Sequence, residues 1–317
     1  MTGTRELHLI VGAGPIGSAL AARLSDEGLS VRVVTRSGRA VEAPGVESIA
    51  ANAADAQALA ELSQGAAAIY NCANPGSYAV WQREWPPLAA ALLSAAERSG
   101  AVLVTMSNLY GYGPVDGPIT HRTPLRPSDH KGELRARMWQ DALEAHRAGR
   151  VRATEARASD YIGPSLPVGS GLIAMYAESV LSGRTANVFA DPDQPHTWTA
   201  IEDVAATLAG IGRDERAWGS AWIVPSNPPQ SPRRVLQDLA RLAGADEPRL
   251  RRIPRWVLRA GGTVSPLLRE VLGVLYQFDA PFVADGAETR RVFGIEATPW
   301  ETILDETAAA WSARAKR

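Results

Sequence analysis

LHLIVGAGPIGSALAARL, residues 7–24, decides how the rest of the chain is read. Five residues rich in branched aliphatics run into Gly12, Gly14 and Gly17 at G-x-G-x-x-G spacing, and Ile16, Leu20 and Leu24 then recur at helical intervals. Consecutive apolar residues in a short strand mean that both of its faces are covered. A glycine turn between such a strand and a helix has a specific use. Gly12 makes the tight turn, Gly14 lets the backbone approach a pyrophosphate, and Gly17 lets the helix pack closely on the strand. The unpaired amides of the helix start, around Pro15 and Ile16, then face the phosphates. A purely structural glycine turn is the competing reading, and the strand before the motif and the helix after it argue against it.

Working outward, the pattern repeats. SVRVV (30–34), AAAIYNC (66–72), AVLVTM (101–106) and VRATEARA (151–158) read as further strands. Helical patterns lie between them, marked by Leu59 and Leu62, by Leu88, Leu92 and Ala96, and by Leu134 and Met138. Strict alternation of strand and helix implies right-handed crossovers and a parallel sheet covered on both faces, with ligands at the carboxyl ends of the strands. Beyond Pro164 the pattern loosens into helices and proline-rich loops. SNPPQSP (226–232) ends in a Ser231 cap with Pro232 at the first helical position, and TPWETILDETAAAWSARAKR (298–317) reads as a C-terminal amphipathic helix with a basic end. The expected fold is α/β: a doubly wound parallel sheet with a smaller, mostly helical C-terminal part. Residues 1–164, joined by 185–212, are expected to form the dinucleotide-binding domain, and 165–317 the substrate-binding part.

Composition narrows the partners. The formal net charge is −1 over 317 residues, with acids and bases interspersed, so the electrostatic footprint of a nucleic-acid binder is missing. No apolar run reaches the length of a membrane span. Cys72 is the single cysteine and the five histidines form no ligand-spaced cluster, which predicts no intramolecular disulfide, no metal site and a reducing, cytoplasmic setting.

The end of the second strand, VRVVTRSGR (31–39), bears on which dinucleotide is held. An NAD site usually offers an acid there to the ribose 2′-hydroxyl, whereas this chain offers Thr35, Arg36 and Ser37. Arg36 suits a 2′-phosphate and the adenine face, so NADP(H) is expected, with NAD the weaker alternative.

ANAADAQAL (51–59), AIYNCANP (68–75), TMSNLYGYGP (105–114), RASDYIGP (157–164), TWTAIEDVAATL (197–208) and ADGAETRRVFGIEATPWE (284–301) follow the glycine motif in order. Together they resemble the extended short-chain dehydrogenase/reductase family, whose members are often called NAD-dependent epimerase/dehydratases and share a Rossmann sheet. The resemblance implies that Asn52 sits near the adenine and Ala73 beside the cofactor ribose; in the catalytic serine region, alignment on Tyr110 or Tyr112 puts Met106, Ser107 or Asn108 at the serine's place, Ser107 being the candidate. It also implies a Y-x-x-x-K pair, whose lysine bonds the nicotinamide ribose and lowers the pKa of the tyrosine that trades a proton with substrate. Lys131 falls where that lysine belongs, but Pro127 stands four residues before it, and a one-residue slip reaches only Ser128. Tyr110 or Tyr112 could supply the phenol, with His130 and Tyr161 as further candidates.

On the substrate side, Trp81, Trp85, Trp139 and Trp198 are expected mostly in the core. PRLRRIPRW (248–256) is either a holder of an anionic nucleotide diphosphate or a solvated turn, and His196 is a candidate substrate contact. The expected activity is an NADP(H)-dependent oxidoreductase on a carbonyl or alcohol of a small molecule, with epimerase or dehydratase chemistry as variants. Ser107, Tyr110 and Lys131 would be catalytic. The alternative is a dinucleotide-binding sensor or scaffold without turnover. A homodimer through helices near 84–98 and 131–148 is consistent with the family.

Overall fold

Leu7–Val11 forms strand β1, and four of its five residues are buried, as a strand covered on both faces requires. The computed structural model describes residues 6–167 and 171–315. Pro15 opens helix α1 (Pro15–Asp26), which leads to β2 (Ser30–Thr35). β3 (Val46–Ala50) then follows through a loop rather than a helix, so the expected strict alternation breaks at this point. Helix α2 (Ala56–Leu62) is capped by Asp55, which accepts from the amides of Gln57 and Ala58, a cap worth about 1 kcal/mol. β4 (Ala66–Asn71), α3 (Trp81–Ser99), β5 (Val102–Ser107), α4 (His130–Arg147) and β6 (Arg152–Arg157) complete the regular series.

β7 (Asp160–Ile162), α5 (Leu172–Leu181), β8 (Ala186–Val188), β9 (Trp198–Ala200), α6 (Ile201–Arg213) and β10 (Ala221–Ile223) come next. The C-terminal part continues with α7 (Pro232–Leu242), β11 (Leu250–Arg252), α8 (Arg255–Val264), α9 (Pro266–Val274), α10 (Tyr276–Asp279), α11 (Ala287–Phe293) and α12 (Trp300–Ala315). The Ser231 cap and Pro232 start of α7 are as the sequence implies, with Ser231 Oγ accepting from the Arg234 amide. The basic end expected at Lys316 and Arg317 lies outside the described residues.

Seven strands form one parallel sheet in the order β10-β6-β5-β4-β1-β2-β3. The chain leaves β1 in one direction toward β2 and β3 and in the other toward β4, so the switch point lies between β1 and β4. Their carboxyl ends diverge there into a crevice, the usual ligand position in such sheets. One face is sealed by α1 and α6, with Leu20, Leu24, Val204 and Leu208 packed on Ile10, Val33, Tyr70 and Val104. The other is sealed by α2, α3 and α4, with Leu59, Trp85, Leu92 and Leu134 on Leu9, Val11, Ile69 and Leu103. α5, α7 and α12 build a separate core around Ile173, Leu236, Leu239, Ile303 and Trp311, and Trp81, Trp85, Trp139 and Trp198 are all buried. Among the described residues, no helix is long and apolar enough to cross a membrane.

Candidate active site

A groove of about 610 Å³ runs over the switch point and is lined by Gly12, Gly14, Pro15, Ile16, Thr35, Arg36, Asn52 and Ala73. Its floor is dictated by glycine. Gly12 has φ +104°, and a Cβ on Gly17 would lie 1.9 Å from the Gly12 carbonyl oxygen, so only glycine permits this approach of helix to strand. Gly14 behaves oppositely: a Cβ there would meet nothing within 4 Å, because its backbone faces the open groove. No side chain of the described residues caps α1, which leaves the amides that follow Pro15, itself without an N–H, to the groove. Arg36 is exposed at the end of β2 and makes no hydrogen bond with a described residue. These features fit a dinucleotide: free amides and an open glycine for the pyrophosphate, and an exposed guanidinium at the end of β2.

The groove continues into a cleft of about 320 Å³, with which it shares Ile16, Cys72, Ala73, Asn74, Tyr161 and Leu166. Ser107 and Tyr110 both line this cleft, together with Tyr78, Arg135 and Asp160. Tyr110 Oη lies 2.7 Å from Tyr78 Oη, and burial holds the Tyr110 phenol well above its ordinary pKa and raises that of Tyr78. Tyr112 points elsewhere. It is buried and accepts from Arg157 Nη1 at 2.7 Å. Tyr161 lines both groove and cleft, its pKa likewise raised by burial. His130 is about half exposed, 3.4 Å from Glu270.

Lys131 is not brought into this lining. It is 1% exposed, and Nζ donates to Glu270 Oε2 at 2.7 Å and to the Glu270 carbonyl at 2.9 Å, with Asp129 Oδ2 at 3.4 Å and the Tyr78 ring beneath it at 5.1 Å. Its charge therefore answers two carboxylates, and the nearest phenols gain no net cation to lower their pKa.

One helical turn on, Arg135 does reach the cleft. It is 7% exposed, Nη2 donates to the Met106 carbonyl at 2.6 Å, the guanidinium lies 4.6 Å from the Trp85 ring, and Nε and Nη1 are buried without a partner among the described residues. Burial pulls its pKa down. A buried guanidinium with two idle donors, on a residue that lines the cleft, is costly unless an acceptor meets them. The sequence reading missed Arg135, Tyr78, Asp160 and Glu270. The signal for Arg135 was its i+4 step from Lys131 on a helix already recognised.

The arginines of residues 248–256 are occupied within the fold: Arg251 donates to Asn187 Oδ1, and Arg252 and Arg255 both pair with Asp279. That pairing fits the solvated-turn alternative better than an anion holder.

Cys72 lines both groove and cleft, and burial pushes its thiol pKa up to about 12. Little of such a thiol is ionised at pH 8, against roughly a quarter of a free cysteine. Native protein is expected to react with Ellman's reagent at least ~100-fold more slowly than urea-unfolded chain. Equal rates would mean that the groove floor is open to solvent.

The model of the NAD dependent epimerase/dehydratase family matches residues 8–217. No protein of curated function matches by sequence. Solved structures do match. A dTDP-glucose 4,6-dehydratase from Bacillus anthracis, in complex with NAD, superposes with TM-score 0.80 at 17% identity over 98% of each chain. A UDP-glucose 4-epimerase from Thermotoga maritima, with UDP-glucose, gives 0.80 at 16% over 97% of this chain and 99% of its own. A UDP-N-acetylglucosamine 4-epimerase from Methanobrevibacter ruminantium, in complex with UDP-N-acetylmuramic acid, gives 0.80 at 13% over 98% and 99%. At these identities the likeness is one of fold.

Proposed function

The chain belongs to the NAD dependent epimerase/dehydratase family, and from that premise we propose an NADP(H)-dependent oxidoreductase acting on a carbonyl or alcohol of a small organic molecule. The single observation that carries this reading is the continuity of two cavities, a glycine-floored groove with a free Arg36 and a cleft holding Ser107, Tyr110 and Arg135. Gly12, Gly14, Pro15, Ile16, Gly17, Asn52 and Ala73 would hold the dinucleotide, and Arg36 its 2′-phosphate. When bound, the reduced nicotinamide supplies a hydride. Ser107 and Tyr110 polarise the reacting oxygen, and the idle donors of Arg135 fix acceptor atoms of the ligand at the inner end of the cleft. Lys131 serves there indirectly, by tying the first turn of α4 to α9 through Glu270.

The structurally similar dehydratase and epimerases were solved with NAD or sugar nucleotides, so epimerisation or dehydration of a nucleotide sugar is a variant in the same class. Of the expected 1–164 with 185–212, this reading keeps 1–164 and α6, adds β10 of the main sheet, and gives β8, which pairs with β11, to the C-terminal substrate part. The low cysteine content supports a cytoplasmic setting. A homodimer is supported by the groove between α3 and α4, where Pro86, Ala90, Leu93, Met138 and Ala142 lie beside Glu133, Arg137 and Asp141.

A direct test is NADPH fluorescence titration followed by absorbance at a panel of aldehydes, ketones and nucleotide sugars. Arg36→Ala is expected to weaken NADPH binding by ~10–100-fold while leaving NADH within about threefold, since a charge-assisted phosphate contact is worth roughly 1.5–3 kcal/mol. Equal loss for both dinucleotides would sink the 2′-phosphate assignment. The pairing of Lys131 with Glu270 favours a second reading, a dinucleotide-responsive sensor without turnover. Tight binding with no turnover on any panel member would select it.

A further inference from the structure

We propose that Asp160 and His196 form a proton-holding couple that delivers, through Asp160, the proton taken up by the substrate oxygen in the cleft. Asp160 is then a catalytic residue and His196 its positioning partner. The assignment rests on the oxidoreductase reading above and extends it to the acid.

The geometry allows little else. His196 Nδ1 lies 3.1 Å from the Gln277 carbonyl oxygen, which only accepts, so Nδ1 carries a hydrogen. Nε2 lies 2.9 Å from Asp160 Oδ2. Two bare acceptors do not approach so closely, so one further proton sits between them, on the imidazole or on the carboxyl group. Ser159 Oγ, 3.3 Å from Nε2, is a weaker contact on the same side. The couple therefore holds one proton that can move.

The fold fixes both members. β7 pairs in parallel with β9, setting Asp160 beside Trp198, and the His196 backbone is clamped between Gln230 and Phe282. The imidazole is 1% exposed, stacked on Phe278 at 4.3 Å, with Trp198 at 4.7 Å and Phe282 at 5.9 Å. Aromatic faces and a carboxylate suit a charged ring, and they leave it no exit. Asp160 is different: its side chain is 27% exposed and lines the cleft with Ser107, Tyr110 and Tyr161. A proton leaves the couple by that carboxyl group.

The other titratable groups around the couple are the phenols of Tyr78, Tyr110, Tyr161 and Tyr276, all raised by burial, the Arg135 cation and, farther off, Asp129. None of these phenols is made easier to ionise, and among the described residues none shares a hydrogen bond with an imidazole as Asp160 does with His196. In the reducing direction a dinucleotide held by the groove would supply a hydride to the carbonyl carbon, leaving the carbonyl π pair on oxygen to take up a proton. The couple's proton passes from Nε2 to the carboxyl group and on to that oxygen, forming the alcohol O–H. Neutral imidazole and carboxylate remain, and a proton from water reloads them.

The test has two arms. Nuclear magnetic resonance of ¹⁵N-histidine- and ¹³C-aspartate-labelled protein, without ligand, should show a proton on Nε2 of His196 or on the Asp160 carboxyl, and Asp160→Asn should leave His196 protonated at Nδ1 alone. With NADPH and a carbonyl substrate, Asp160→Asn should lower kcat by ~100-fold with NADPH affinity within about threefold. Should that variant not fold, Asp160→Ala should show the same loss, with partial rescue by formate. A bare Nε2 facing an ionised Asp160 in the native protein would overturn the couple, and undiminished kcat in Asp160→Asn would overturn its role. If the native protein binds NADPH but reduces nothing, the oxidoreductase reading falls and takes the acid with it, while the resonance arm still reports the couple by itself.

Discussion

Gly17→Ala is expected to eliminate measurable dinucleotide binding and to cost the protein several kcal/mol of stability. The added Cβ would lie 1.9 Å from the carbonyl oxygen of Gly12 and 3.0 Å from its carbonyl carbon, both backbone atoms that cannot swing aside like a side-chain end. Relief requires α1 to lift from β1 or the turn to open. Lifting α1 breaks the packing of Leu20 and Leu24 on Ile10 and Val33, and overpacking of this kind costs roughly 1–3 kcal/mol, more where backbone must move. Opening the turn moves the amides that would meet the pyrophosphate. Gly14→Ala is the contrast: its Cβ has free space on the protein side, so folding should be unaffected while binding weakens through intrusion into the groove. Thermal melts and NADPH titrations of the two variants separate the roles. A fully stable Gly17→Ala that still bound NADPH would show that the motif is only a turn.

The first strand, the glycine turn and α1 were legible because three signals agree over eighteen residues: an apolar run, glycines at fixed offsets and a helical stripe. β3 gave no such signal. Val46–Ala50 is a partly exposed edge strand with an acid at its second position, and it follows β2 without a helix, so neither hydrophobicity nor alternation marks it. β8 and β11 were missed for the same reason, since each is three residues long and pairs only with the other. The groove residues could be assigned from the chain because they lie within local motifs. The cleft residues could not, because the contacts that define them span long separations. Lys131 meets Glu270, 139 residues away, and Asp160 meets His196, 36 residues away. Asp160 lies within RASDYIGP beside Tyr161, and His196 lies in the segment before TWTAIEDV, with nothing local to link the two. Only the β7–β9 pairing brings the two together. A sequence pattern built on neighbours four residues apart has no means of finding such a pair.

Arg135→Met carries the sharpest test of the cleft, because the two quantities it changes should move independently. In the protein alone the guanidinium is a burden: desolvated, with one hydrogen bond to the Met106 carbonyl, a cation–π contact to Trp85 and two donors unused. Methionine matches most of its length, keeps the packing on Trp85 and carries no charge. Replacing a buried, incompletely paired ion by an apolar side chain is commonly neutral or stabilising by about 1–4 kcal/mol. The melting temperature of Arg135→Met should therefore equal or exceed that of the native chain. Activity should go the other way, with kcat/KM falling by ~10³-fold, about 4 kcal/mol, as expected when two charge-assisted donors to a bound ligand are lost together. Arg135→Lys should fall between, since one ammonium cannot reproduce two donors at fixed spacing. A variant that loses stability and activity in parallel would mean that Arg135 is a structural brace between α4 and β5. Gain of stability with loss of turnover is the signature of a residue retained for its ligand, since a destabilising site survives only where function requires it.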